Sequence, residues 1–236
     1  MGTSIAIMQP YFLPYLGYFQ LMKSVDKFVV YDDIEYTKKG WINRNRLLFD
    51  GRIEYITLPL EKGSDYAKIR ERKVSKQWQK NKRKYERKIR QSYCTRANFQ
   101  FGLEIYRKVA DNADLNAFEF IKESIKITSQ AIGIKTEIIK SSSLGDFSRY
   151  NRVKKIIGIC NELGAVRYVN AIGGMSLYSK ADFEGNNIEL NFIKSNLGPY
   201  EQGQKNFIAG LSILDLIMSV KVNRKMTKQL NNYQLI

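Results

Sequence analysis

Apolar and polar positions change period several times along the chain, and the changes mark out its elements. A strand-length apolar run, Ile5-Ala6-Ile7-Met8, ends at Gln9. A loop framed by Pro10 and Pro14 follows, then a helical pattern from roughly Tyr15 to Ser24 and a second apolar run over Asp26 to Tyr31. Strand, helix and strand in so short a span predict a βαβ unit with parallel strands. Arg44 to Phe49 and Glu54 to Leu60 flank Asp50-Gly51, a dipeptide suited to a tight turn with positive φ, so a hairpin is expected to extend the sheet. Trp78, Tyr85, Ile89 and Tyr93 line one face of a helix over Lys76 to Tyr93. Helices are also expected over Phe99 to Val109 and over Asn116 to Ala131, the latter capped by Asn116 or Asp114 and stopped at Gly133.

The second half alternates as well. Lys135 to Lys140 reads as a strand and Arg149 to Leu163 as a helix ending at Gly164. Arg167 to Ala171 and Ile188 to Ile193 read as strands separated by a Gly-Gly loop and a short helix. Helices over Leu211 to Val220 and Asn223 to Asn232 close the chain. The expectation is one α/β domain over 1–236: a mixed sheet with a βαβ nucleotide-binding-like N-terminal unit, an added hairpin and a basic helical insertion at about 76–133. Ser141-Ser142-Ser143 is the nearest thing to a boundary.

Composition narrows the chemistry. At 44% hydrophobic and 26% charged, the chain has the balance of an ordinary globular protein, and no apolar run approaches membrane-span length, so a cytoplasmic protein is expected. Cys94 and Cys160 make no disulfide framework or metal spacing, and no metal site is expected. The chain has 0 histidines. That removes a Ser-His-Asp or Cys-His relay and any histidine-ligated metal within one chain, leaving Asp, Glu, Lys, Tyr, substrate groups or water for proton transfer. The net charge of +16 is concentrated: Lys68 to Arg96 holds thirteen basic residues against Glu71 and Glu86. The partner should be acidic, and Lys80, Lys82, Arg83 and Lys84 are the expected contact residues.

Three segments could carry a site. The loop after the first strand holds Gln9, Tyr11, Tyr15 and Tyr18 where ligands settle in open α/β sheets. Asp32-Asp33 ends the second strand and offers a general base or a magnesium ligand; if the strand continued, the two carboxylates would point to opposite faces. Trp41, Asn43, Arg44, Asn45 and Arg46 set an aromatic plane beside amides and guanidiniums, which suits a phosphorylated, hydroxyl-rich ligand, unless this is a hairpin strand whose Asn43 meets solvent. Asn170, Gly173 and Gly174 follow a later strand and would let backbone amides approach an anion. Asp215, in an otherwise apolar helix, must be paired or carry a shifted pKa.

Met8-Gln9-Pro10-Tyr11-Phe12-Leu13-Pro14-Tyr15-Leu16-Gly17-Tyr18-Phe19, Asp26 to Asp33, Gly40 to Arg46, Tyr55 to Leu60, Tyr168 to Gly174 with Leu177-Tyr178, and Leu211 to Asp215 together resemble the WbqC-like family of bacterial proteins. The resemblance spans nearly the whole chain. Its members are typically encoded among genes for O-antigen and other surface polysaccharides, beside enzymes that make nucleotide-linked deoxyamino sugars. It therefore implies acylation or aminoacylation of a nucleotide-linked amino sugar, in lipopolysaccharide biosynthesis, with coenzyme A, an acidic carrier protein or a tRNA as donor. Tyr11, Tyr15 or Trp41 would stack on the base or sugar, Arg44 and Arg46 would hold the pyrophosphate, and Asp32 or Asp33 would take the proton of the attacking amine. Two rivals stand beside this transferase: a non-catalytic adaptor for nucleic acid or an acidic carrier protein, and a nucleotidyltransferase. The strand, Tyr15-Leu16-Gly17-Tyr18, helix order is similar to nucleotidylyltransferase-type α/β domains, but with tyrosines where the histidines of their HxGH motif stand.

Overall fold

A computed structural model describes residues 2–64 and 66–236. β1 (Thr3–Met8), α1 (Leu16–Lys23) and β2 (Lys27–Val30) form the expected βαβ unit, with Met8 opposite Val30 in a parallel pair. β3 (Arg44–Phe49) and β4 (Arg52–Thr57) make the hairpin. Asp50 and Gly51 sit at its turn with φ of +48° and +75°, the left-handed pair that a two-residue hairpin loop requires. Helices α2 (Trp78–Tyr93), α3 (Phe99–Ala110) and α4 (Ala117–Ala131) follow, the last capped by Asn116, whose side chain accepts from Phe118 N and Glu119 N. Then come β5 (Glu137–Lys140), α5 (Arg152–Glu162), β6 (Ala165–Ala171), α6 (Lys180–Glu184) and β7 (Glu189–Ser195). The chain closes with α7 (Ile213–Ser219), α8 (Arg224–Leu230) and β8 (Tyr233–Leu235).

The main sheet has the order β5-β2-β1-β6-β7-β8, parallel except for β8. Both faces are covered, and the strands show it residue by residue. Ala6, Phe28 and Val30 belong to the larger apolar cluster with α1 to α4, α7 and α8, while Ile5, Ile7 and Val29 face the smaller one with α5 and α6. Cys160 lies in that second cluster, where burial pushes its thiol up to about 12. β1 stands between β2 and β6, so strand order reverses at its two sides. In such sheets this reversal opens a crevice at the carboxyl ends of the strands.

The hairpin does not extend the sheet. β1 is paired on both sides and β2 has β5 on its free side, so β3 and β4 form a separate two-stranded sheet. Instead α2 covers the hairpin. Tyr93 Oη accepts from Leu48 N at 2.9 Å, Ser92 Oγ from Asp50 N at 3.1 Å and Tyr85 Oη from Thr57 N at 3.1 Å. This explains tyrosines in the apolar stripe of α2: their rings pack while their hydroxyls satisfy strand-edge amides that would otherwise be unpaired. The other departures are small. α5 starts at Arg152 rather than Arg149 because Asn151 caps it, accepting from Lys154 N at 2.9 Å. β8 carries no sequence signal at three residues.

Tyr93 also donates to Asp215 Oδ1 at 2.7 Å. Tyr93→Phe therefore strands a backbone amide and weakens a buried carboxylate's shell. A loss of about 1–3 kcal/mol is expected, read as a fall in melting temperature of several degrees. A shift indistinguishable from that of Tyr85→Phe, whose single hydroxyl bond is only half-buried, would refute this account.

Candidate functional site

The loop after β1 is fixed from three sides. Phe12 N donates to Ile42 O at 3.0 Å, Ile213 N to Pro14 O at 2.7 Å, and Leu13 O receives both Asn45 Nδ2 and Ser212 Oγ at 2.9 Å. Phe12 and Leu13 are buried, Phe12 packing edge-on against Trp78 at 5.9 Å between ring centres. Tyr18 is buried too and donates to Gln9 O at 3.0 Å. Tyr11 and Tyr15 are half-buried neighbours; burial raises both phenols, and Tyr15 raises Tyr11 further. Gln9 is exposed at the mouth of the crevice. Tyr15 stands at the N-cap of α1 and supplies no side-chain bond to it, so the first-turn amides face the crevice end uncapped by a side chain.

The loop and the Trp41 to Arg46 segment do come together, through Phe12 N and Ile42 O. Much of that segment's polar capacity is spent locally. Asn43 is buried rather than turned to solvent: it accepts from Tyr36 Oη at 3.0 Å and donates to Leu58 O at 2.9 Å. Asn45 is buried and holds the Leu13 carbonyl. Arg44 donates to Gly40 O and Lys39 O and lies 4.4 Å over the Tyr55 ring. Arg46 donates to Gly210 O at 3.1 Å and lies 5.3 Å from the ring of Trp41, which is 38% exposed. What remains open is a stack of aromatic and guanidinium planes.

The acidic pair is better placed. β2 ends at Val30, and past it both carboxylates converge on Ser141, at the carboxyl end of the adjacent β5. Ser141 Oγ lies 2.8 Å from Asp32 Oδ1 and 3.3 Å from Asp33 Oδ1, and Ser142 N donates to Asp32 Oδ1 at 2.9 Å. Ser141-Ser142-Ser143 is thus a 3-10 turn closing on the site. Lys155 of α5 pairs with Asp33 Oδ2 at 2.6 Å. Arg70 stands 3.7 Å from Asp32 Oδ2, which is buried and has no hydrogen bond. Burial opposes the charge of Asp32, but hydrogen bonds from Ser142 and Ser141 and the Arg70 guanidinium outweigh it and hold the carboxyl below its usual range. Beside them Tyr31 leaves β2 with Lys155 4.8 Å from its ring; burial first, then Tyr178 and Asp33, raise its phenol, and Arg152 counters them.

At β6 the Asn170 to Gly174 turn closes tightly. A Cβ on Gly174 would meet Asn170 Nδ2 at 2.2 Å, so a larger residue there would displace the Asn170 side chain, whereas Gly173 has nothing within 4 Å. On α2, Lys80, Arg83 and Lys84 are exposed, but Lys82 is tied to Asp111 at 2.7 Å. Asp215 is fully buried and raised by that burial, even though Tyr93, Tyr200 and Gln202 hydrogen-bond to it and Arg96 lies near. Its partners are phenols and an amide rather than an ion pair. Sequence reasoning missed Ser141 and Lys155, which follow from β5 pairing with β2, and Arg70, which backbone bonds from Ile69 N to Ile34 O and from Arg70 N to Asp32 O place beside Asp32.

Fold and site together define an α/β protein whose largely parallel sheet presents, at its carboxyl edge, two carboxylates paired with Arg70 and Lys155 beside Tyr31. Residues 9–227 fit the model of the WbqC-like protein family, and the chain belongs to that family. It is 28% identical over 232 residues to the uncharacterized protein Rv1507c of Mycobacterium tuberculosis, covering 92% of this chain and 93% of that one. No solved structure matches it significantly. Among the described residues no helix is long and apolar enough to cross a membrane.

Because Asp32 is held below its ordinary value of 3.8, its contribution to stability is complete above that value and drains away as pH falls below it. Asp32→Asn should melt below the wild type at pH 7, by about 1–3 kcal/mol, and the gap should close on acidification below about pH 4. A gap that stays constant down to pH 3 would show that its charge is not what matters.

Proposed function

We propose that the protein is a transferase acting on a nucleotide-linked amino sugar, with the sugar amine held at Asp32 and Asp33. The observation that carries this reading is the buried, ionised Asp32 with an unsatisfied Oδ2, flanked by Arg70, Asp33 and Lys155. An amino sugar arrives as an ammonium, which supplies the donor that this oxygen lacks, and the diphosphate finds cations on the same rim. In the reaction the ammonium first gives up one proton to water, and the neutral amine nitrogen then attacks the donor's acyl carbon so that a C–N bond forms. The bond from that carbon to the donor's sulfur or oxygen breaks, Asp33 takes the proton leaving nitrogen, and the departing thiolate or alkoxide is protonated in turn. The Trp41 and Tyr55 planes, with Arg44 and Arg46, offer a stacking surface for the base. Coenzyme A, an acidic carrier protein and a charged tRNA are the donors to try.

The adaptor reading draws on one observation, the exposed Lys80, Arg83, Lys84 and Arg87 of α2. Under the transferase reading this face docks an acidic macromolecular donor.

Nucleotide-linked amino sugars incubated with the protein and each donor should gain the acyl mass, read by mass spectrometry. Asp33→Asn should lower turnover by about a hundredfold or more while sugar-nucleotide binding stays within a few-fold. Binding of the sugar nucleotide with no mass gain for any donor would favour the adaptor, and no binding at all would remove the amino-sugar reading.

Replacing Lys80, Arg83 and Lys84 together by Glu should raise KM for a carrier-protein or tRNA donor by about tenfold or more, and flatten its salt dependence. Unchanged donor kinetics would end the docking role of α2.

A further inference from the structure

Where β7 runs out, the chain turns at Asn196 toward Tyr200, and this turn, the end of α7 and the flank of α8 enclose a cleft of about 820 Å³. That is the size of a small-metabolite pocket. Lys221, Lys225 and Lys228 line it, and none of the three has an ion-pair partner among the described residues. Its one acidic lining residue, Glu201, is engaged at Gly203 N, 2.6 Å away. Lysines gathered without counter-charge call for an anion, and a strongly hydrated ammonium suits a phosphate oxygen.

The wall carries a second signal. Ser219 and Gln229 line the cleft, and each buries a side-chain oxygen with no hydrogen-bond partner. Buried oxygens are nearly always satisfied, so two orphans in one wall mark a demand for donors. The wall itself is firm. Gln20 of α1 donates to Gln229 O at 2.7 Å and Asn232 O at 3.1 Å, and Gln229 Nε2 donates to Pro199 O at 3.2 Å. Both oxygens lie beneath the cleft surface, so a ligand hydroxyl reaches them once the Ser219 side chain rotates or the Gln229 amide shifts.

We propose that this cleft binds a phosphorylated, hydroxyl-bearing small molecule, with its phosphate against Lys221, Lys225 and Lys228 and its hydroxyls donating to Ser219 and Gln229. The site is separate from the acidic pair at β2 and does not depend on the transferase reading.

The test is calorimetric titration of the full chain with glucose 1-phosphate, ribose 5-phosphate and inorganic phosphate, with hydrogen exchange to locate binding. At least one sugar phosphate should bind saturably, at least tenfold tighter than inorganic phosphate, and protect residues 196–201 and 219–232. The Lys225→Ala/Lys228→Ala pair, at exposed positions, should keep the wild-type melting temperature and weaken sugar-phosphate binding at least tenfold. Ser219→Ala should weaken the sugar phosphate several-fold and leave inorganic phosphate unchanged. Asp32→Asn should bind as the wild type does, which keeps this result distinct from the fate of the transferase. No saturable binding of either sugar phosphate, affinity undiminished in the lysine variant, protection elsewhere, or inorganic phosphate binding as tightly as the sugars would each overturn the proposal.

Discussion

A single carbonyl, that of Leu13, holds the three parts of the molecule together. It accepts from Asn45 of the hairpin and from Ser212 at the start of α7, while its own residue links β1 to α1. Leu13 adopts φ +47°, a left-handed conformation that costs a non-glycine residue roughly 1–2 kcal/mol. Two buried hydrogen bonds and a fully buried side chain offset that strain. In return the sharp turn sends Phe12 into the helical layer and leaves Tyr11 and Tyr15 at the crevice. The position of α1, the seating of the hairpin and the shape of the crevice mouth all follow from this one knot.

The two buried aspartates show how partner chemistry decides the state of a carboxyl group. Asp32 and Asp215 both lie out of water. Asp32 receives a backbone amide, a serine hydroxyl and a nearby guanidinium, and is held ionised. Asp215 receives two phenols and a carboxamide, which do not overcome the cost of burial, and its pKa rises. The first environment holds a buried anion in place at the carboxyl end of β2. The second makes a brace, tying α2 through Tyr93, and the segment after β7 through Tyr200, to α7. Only Asp32 lies at a strand end where a ligand could arrive.

The regular elements were legible because they write themselves locally. The β1–α1–β2 run, the Asp50-Gly51 turn and the Trp78 to Tyr93 stripe each depend on residues within a turn or two of one another. The hairpin's isolation was not legible, since it turns on which strand occupies the free side of β2, and β5 lies beyond three helices. The same distance hid half of the acidic site. Ser141 is 109 residues from Asp32 and Lys155 is 122 from Asp33, and neither type carries a periodic signal. Asn43 and Asn45 looked like ligand contacts because a side-chain amide reads alike whether it meets a sugar or a backbone carbonyl; only packing against Leu58 and Leu13 distinguishes them.

The order of strands also has a consequence for how the chain is made. β1 is one of the sheet's inner strands, yet its partner on one side, β6, pairs Ala165 with Thr3 and lies far downstream. During synthesis β1 and β2 must wait with both outer edges open, β2 for β5 and β1 for β6, while the hairpin and helices α2 to α4 emerge. Such long-range closure is slow, and an open apolar edge invites other chains. Nascent chains halted between α4 and β6 would then be the species most in need of a chaperone, while the hairpin and α2, sealed by their tyrosine hydroxyls, would already be protected.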